Sequence, residues 1–172
     1  MDARREKTRA LVFAAMFAAL VCVATMVLTI PLPGNGFANL GDGVILVAAW
    51  TLGPVWGAAA SGIGAGLADL LLGYGVYAPA TLVIKALMAV VAVCAGKSIL
   101  RRMPNRKWLC VAISAVLAEC VMILGYFLFE CILYGGAVAL ADIVGNAGQA
   151  AVGIVVGTLL TIMLQRLRKG NM

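Results

Sequence analysis

The chain has 172 residues, 64% of them hydrophobic, a formal net charge of +6 and a mean hydropathy of +1.07. Soluble domains carry about 45–50% apolar residues, so this composition excludes an ordinary soluble protein and fits one all-α, membrane-embedded domain over residues 1–172. Histidine is absent, which removes the commonest metal ligand and the commonest general base; no metal, no cofactor and no enzymatic activity are expected.

The placement of the charge argues against a nucleic-acid surface. Arg4, Arg5, Lys7 and Arg9 precede the first apolar run; Lys97, Arg101, Arg102, Arg106 and Lys107 surround a central loop; Arg166, Arg168 and Lys169 follow the last run. Lys85 is the one basic residue outside these clusters. Such clustering is the positive-inside pattern of a multi-pass membrane protein. The five cysteines (Cys22, Cys94, Cys110, Cys120, Cys131) form no CxxC pair and read as small buried hydrophobes.

Helix 1 is expected over residues 8–30. Its apolar run is long enough to span a bilayer and shows no short apolar core with a cleavage site, so it reads as a span and not as a signal peptide. Ala10, Ala14 and Ala18 recur every four residues, shadowed by Ala15 and Ala19. Small side chains at this spacing admit close approach of another helix, either a partner's or helix 6 of this chain. Pro31, Pro33, Gly34 and Gly36 stop the helix and form a loop.

Asn39-Leu-Gly-Asp-Gly43 then opens a run to Leu72 that is too long for one straight span of about 20 residues. Gly53-Pro54 divides it into a short helix 2 (42–52) and helix 3 (55–72), because proline lacks the N–H and restricts the residue before it. A loop covers 73–78, and Pro79 starts helix 4, which reaches 99. A basic loop (101–107), helix 5 (108–133), a turn at Tyr134-Gly-Gly136 and helix 6 (139–167) complete the chain. With a cytoplasmic N-terminus, six helices return the C-terminus to the cytoplasm and place all three basic clusters there. The outer loops then carry no Lys or Arg. An unbroken span over 42–72 would put two clusters on the wrong side.

This topology collects polar side chains in the outer half. Asp42 opens helix 2, Asp69 lies near the outer end of helix 3, and Lys85 lies about 9 Å below the start of helix 4 at 1.5 Å per residue. Glu119, Tyr126 and Glu130 share a face of helix 5, as Asp142, Asn146 and Gln149 do on helix 6. Charge inside a membrane costs about 2.5–3.5 kcal/mol per residue on insertion scales and marks function by default. Structural roles compete with that reading: Asp69 and Lys85 as a mutually neutralising pair, Asp42 as a cap of helix 2, Glu130 and Asp142 as interfacial groups in water. Glu119 has no basic residue at its depth. The glycines Gly57, Gly62, Gly64 and Gly66 form no GxxxxGK[ST] loop, so the chain is not expected to hydrolyse ATP; Gly62 and Gly66 read as helix packing. Nor do the acids sit in the motifs of intramembrane aspartyl proteases.

Together, the AxxxA stripe, the six short helices, the block Asn39-Leu-Gly-Asp-Gly-Val-Ile-Leu, Leu52-Gly-Pro54, Ala68-Asp69 and Tyr77-Ala-Pro-Ala-Thr-Leu-Val-Ile-Lys85 resemble the S components of energy-coupling factor (ECF) vitamin transporters. The branch resembled holds the riboflavin-type and hydroxymethylpyrimidine/pyridoxine-type S components. The resemblance implies a substrate-binding subunit of the bacterial plasma membrane, docked through helix 1 (Ala10, Ala14, Ala18) on a transmembrane T component driven by two cytoplasmic ATPases. It implies an outer pocket roofed by the loop 31–39 and a subunit that topples to present its site inward. The substrate-binding residues expected from topology are Asn39, Asp42, Asp69, Tyr77, Lys85, Glu119, Tyr126, Glu130, Asn146 and Gln149.

The excess of outer-half acids over the one base favours a small, neutral or weakly cationic heteroaromatic ligand, pyridoxine-like or hydroxymethylpyrimidine-like, with riboflavin as the alternative. Tyr74, Tyr77 and Tyr126 offer stacking surfaces. A small carrier or channel working without an ECF module, or a membrane scaffold, are the readings of other classes. A carrier or channel would need a continuous polar path across the membrane, whereas here the polar residues concentrate on one side.

Overall fold

Hydrophobic runs broken by proline and glycine fold, in the computed structural model, into six helices and one hairpin: α1 (Ala3–Val27), β1 (Thr29–Pro31), β2 (Phe37–Asn39), α2 (Gly41–Leu52), α3 (Pro54–Leu72), α4 (Ala78–Arg102), α5 (Lys107–Tyr134) and α6 (Gly136–Gly170). The structure describes residues 3–33 and 36–170, with side chains described for 4–33 and 36–167. Gly34, expected in the stop after helix 1, lies outside the described residues, as do the side chains of Arg168 and Lys169 in the last basic cluster.

The expected helices are all present; at the ends that carry the basic clusters α1, α4 and α6 extend by three to five residues and α5 by one. The expected loop at 31–39 is instead an antiparallel hairpin that pairs Thr29 with Asn39, Ile30 with Ala38 and Pro31 with Phe37. It takes the last residues assigned from sequence to helix 1. Three-residue strands are too short for an alternating pattern to show, and Pro31 is tolerated because it lies at the end of a strand in a two-stranded ribbon.

The break at Gly53-Pro54 is a tight turn. Gly53 has φ 84° and ψ −178°, a conformation that suits glycine, and its N–H still bonds to the Ala49 carbonyl at 2.9 Å. Pro54 is the first residue of α3, where its missing N–H costs nothing.

Stretches of α1, α4, α5 and α6 are long and apolar enough to cross a membrane. With 19 residues, α3 rises about 28 Å, whereas the 12 residues of α2 rise only about 18 Å, well short of a hydrocarbon core of about 30 Å. Yet α2 is the centre of the bundle. It touches α1, α3, α4 and α6, and eight of its residues are buried. The core around it is built from Val21, Ile45, Leu46, Met88, Val93 and Met122.

In a bilayer, helices associate through van der Waals contact, which small residues permit. A methyl on Gly62 would strike the Leu82 carbonyl of α4 at 2.6 Å, and one on Gly64 would strike the Ala18 carbonyl and Val21 of α1. These two glycines set the α3–α4 and α1–α3 spacings.

On α1 the expected alanine stripe packs partly inside the chain. Ala14 is buried, and the Ala18 backbone packs on Gly64, so this part of the stripe faces α3 of the same chain. Within the chain, this part of the stripe meets α3 and not helix 6. Ala10 is half-buried. The shadow positions Ala15 and Ala19 are exposed, amid Leu11, Val12, Met16, Leu20 and Val23.

Candidate functional site

The alternation of six helices brings the ends of five of them, with the hairpin, around one pocket on the side away from the basic clusters. Thr25 comes from α1, Leu32, Gly36, Phe37 and Asn39 from the hairpin region, Ala65 and Asp69 from α3, Tyr77, Thr81 and Lys85 from the start of α4, Tyr126 and Glu130 from α5, and Asn146 from α6. The space is small. It amounts to about 380 Å³ when all volume not filled by atoms is counted, of which about 20 Å³ admits the centre of a water molecule.

The hairpin forms the roof. Phe37 lines the pocket and packs on Tyr74 with ring centroids 4.6 Å apart, so Tyr74 braces the roof rather than facing the pocket. Gly36 lies over the ring of Tyr77, where an added methyl would meet it at 3.4 Å. Tyr77 forms an aromatic wall with Phe129, edge to face at 5.4 Å, and with Tyr126 at 6.5 Å.

The floor is ionic. Lys85 and Asp42 form a buried ion pair, and Lys85 Nζ also lies 5.4 Å from the centre of the Tyr126 ring. The other Asp42 oxygen accepts a hydrogen bond from Gln149 Nε2 at 2.5 Å. Gln149 Oε1 in turn accepts from the backbone N–H of Asn39 at 2.8 Å, and Asn39 Oδ1 accepts from the Gly41 N–H at 2.8 Å. A continuous polar chain therefore runs from the roof (Asn39) through α6 (Gln149) and α2 (Asp42) to the floor (Lys85). Every lone pair it satisfies lowers the cost of holding charge in an apolar bundle.

These contacts settle the expected pairings. Lys85 neutralises Asp42 and not Asp69. Asp42 does not cap α2, which has no side-chain cap; its carboxylate turns into the bundle. Glu130 and Asp142 are buried, at 1% and 0% exposure, and are not interfacial groups in water.

Of the ten residues expected at the ligand, Asn39, Asp69, Tyr77, Lys85, Tyr126, Glu130 and Asn146 line the pocket. Asp42 and Gln149 lie behind Lys85 and support it. Glu119 lies apart from the lining. It is buried against Gly153, where an added methyl would meet both its Oε1 and, at 3.0 Å, Asp42 Cβ. Among the described residues, neither Glu119 oxygen has a hydrogen-bond partner, although Asp42 stands beside it.

Sequence reasoning did not name Thr25, Leu32, Gly36, Phe37, Ala65 and Thr81 as ligand residues. Thr81 was legible in part, since it lies four residues from both Tyr77 and Lys85 on one face of α4. Its hydroxyl is 3.0 Å from the Tyr126 hydroxyl. Tyr77 donates a long hydrogen bond of 3.5 Å to Glu130 Oε1. Two buried polar atoms on the lining, Thr25 Oγ1 and Glu130 Oε2, have no hydrogen-bond partner among the described residues. Buried polar atoms are normally paired, and the Glu130 carboxyl has Asp142 beside it.

The family model for the "ECF-type riboflavin transporter, S component" matches residues 5–166. The chain belongs to this family. As an S component it is a vitamin- or precursor-binding transport subunit and a multi-pass membrane protein. Among curated proteins, this S component is 35% identical over 147 residues to an uncharacterised protein of Pyrococcus woesei, covering 85% of this chain and 95% of that one. It is 29% identical over 163 residues to the thiamine precursor transporter HmpT of Lactococcus lactis subsp. cremoris, covering 94% and 90%. Among solved structures, the S component for biotin from an ECF-type ABC transporter superposes with a TM-score of 0.67 at 19% identity, covering 98% of this chain and 95% of that one. An S component of a bacterial ECF transporter superposes at 0.64 and 21%, covering 96% and 97%. At these identities the two structures show the shared six-helix membrane fold.

Proposed function

We propose that this S component captures a single-ring heteroaromatic vitamin precursor, of the hydroxymethylpyrimidine or pyridoxine class, from the outer face of the cell membrane. It then passes the ligand inward with a transmembrane T component and two cytoplasmic ATPases. The observation that carries the reading is the composition of the pocket. The positive charge of Lys85 is already matched by Asp42, which leaves the acids Asp69 and Glu130, with Asn146, on that lining without a cation of their own. A ring bearing amino and hydroxymethyl donors satisfies these acceptors, and Tyr77 and Tyr126 supply aromatic walls. An anionic ligand would face acids without a spare cation. The thiamine precursor transporter among the relatives supports the same class.

The riboflavin description of the family model favours a second reading. Size does not separate the two readings, because the about 20 Å³ open to the centre of a water molecule is too little for a single ring as well as for a flavin, so either ligand needs the lining to open.

Titration of the purified chain with hydroxymethylpyrimidine, pyridoxine, thiamine, riboflavin, biotin and folate tests the assignment. Tightest binding is expected for one of the first two. Sub-micromolar binding of riboflavin or folate with none for the single rings would replace it. ATP-dependent uptake by the chain alone would remove the requirement for partner subunits.

A further inference from the structure

The short α2 leaves a recess beneath its last turn, at the end of the bundle opposite the ligand pocket. Its walls are Arg5, Arg9 and Phe13 of α1, and Leu52 and Trp56 at the α2–α3 turn. About 650 Å³ of it admits the centre of a water molecule, against about 20 Å³ in the outer pocket. We propose that this recess holds an anionic phospholipid of the leaflet on the basic side, its phosphate between Arg5 and Arg9 and one acyl chain along Phe13 and Trp56.

The order of side chains carries the assignment. Arg5, Arg9 and Phe13 lie four residues apart on one face of α1, so charge gives way to apolar surface over about 12 Å from the bundle end inward. That is the head-to-tail order of a phospholipid. The Arg9 guanidinium lies 5.7 Å from the centre of the Phe13 ring, which places a cation at the boundary between the two zones. Arginine offers a planar fork of donors that matches phosphate. Trp56 is half-buried one turn inside the bend, where an amphipathic ring favours the membrane interface. Glu6 also borders the recess, and the two arginines leave it with net positive charge. An adjoining exposed groove adds Arg4 and shares Arg5 and Arg9. A zwitterionic lipid would gain less here, and free phosphate would leave the apolar half of the recess uncovered.

Brominated acyl chains quench tryptophan on contact and so report occupancy. The full chain is reconstituted in nanodiscs with increasing mole fractions of brominated phosphatidylglycerol or brominated phosphatidylcholine. The Trp56→Phe variant identifies the part of the signal due to Trp56. Saturable quenching of Trp56 at a lower mole fraction of the anionic lipid is expected. Arg5→Gln and Arg9→Gln should each raise the half-saturating fraction about fivefold, and the pair about thirtyfold. Arg101→Gln/Arg102→Gln, in the central basic cluster, should leave it unchanged. Equal quenching by both lipids, or no effect of the Arg5/Arg9 variants, would overturn the proposal. So would displacement by inorganic phosphate beyond that by chloride at equal ionic strength, which would assign the site to a free anion. Trp56 that neither lipid reaches, and that becomes shielded only when a partner subunit is added, would make the recess a protein-docking surface instead.

Discussion

Lys85 and Asp42, 43 residues apart in sequence, meet as a buried ion pair between α4 and α2, with Lys85 on the pocket lining and Asp42 behind it. The pair joins the central helix of the bundle to the floor of the ligand site. It also decides the charge seen by a ligand, because the one cation of the lining has its counter-ion outside the lining.

Lys85→Met should therefore be costly on two counts. Leaving Asp42 buried and unpaired is expected to cost about 3–5 kcal/mol of stability, and the reshaped floor should weaken ligand binding. In the double variant Lys85→Met/Asp42→Leu no charge is stranded, so thermal stability should return towards that of the parent while affinity stays low. Unfolding curves in detergent and ligand titrations separate the two effects. A double variant as unstable as the single one would show that the pair is not what Lys85 supports.

Gln149 links the roof to the floor through its bonds to the Asn39 N–H and to Asp42. Gln149→Leu keeps the volume but leaves the Asn39 N–H and one Asp42 oxygen without their partner, at about 1–3 kcal/mol for each unsatisfied group. Because the hairpin then loses its tie to α6, faster ligand dissociation is expected, with a smaller change in association. Stopped-flow release of bound ligand measures this. An unchanged dissociation rate would mean that the hairpin is held by its other contacts, Phe37 on Tyr74 and Gly36 on Tyr77 among them.

The helices were legible because their signals are local: long apolar runs, Gly53-Pro54, Pro79, and charge clusters at one end. Seven of the thirteen lining residues were legible because polar groups in an apolar bundle have few other places to go. Partner choice was not legible. Asp69 and Asp42 lie at similar depth, and only the packing of α2 at the centre, set by glycines such as Gly153 and Gly157, brings Asp42 rather than Asp69 to Lys85. The phase of the alanine stripe was likewise ambiguous, since Ala14/Ala18 and Ala15/Ala19 satisfy the same spacing. Apolar lining such as Leu32 and Phe37 carries no sequence signal that distinguishes it from membrane-facing residues.

On α1 the two stripes should now behave differently. Ala14→Trp forces a large ring between α1 and α3 and should destabilise the isolated chain by more than the 1–3 kcal/mol typical of milder overpacking. Ala15→Trp and Ala19→Trp point away from the bundle and should leave stability and ligand affinity intact while reducing co-purification with a T component. Transport should fall with co-purification. Normal co-purification of both exposed variants would move the docking surface off this face of α1.

Glu119 and Gly153 give the last prediction. Glu119 is sealed behind the floor, so Glu119→Gln, which preserves shape, should leave ligand affinity nearly unchanged; a large loss would return Glu119 to the ligand site. Gly153→Ala is different. Its methyl would press on the Glu119 carboxyl and on Asp42 Cβ, so α6 must move outward or both acids must shift. Either response strains the Asp42–Lys85–Gln149 set, and both stability and affinity should drop. Shortening the acid in Glu119→Ala/Gly153→Ala makes room for that methyl. The double variant should recover stability relative to Gly153→Ala, with a coupling of about 0.5–3 kcal/mol expected for residues in contact. Additive losses in thermal unfolding would show that the two side chains do not compete for the same space. The close approach of α6 to α2 at Gly153 would then not be what holds Asp42 in place.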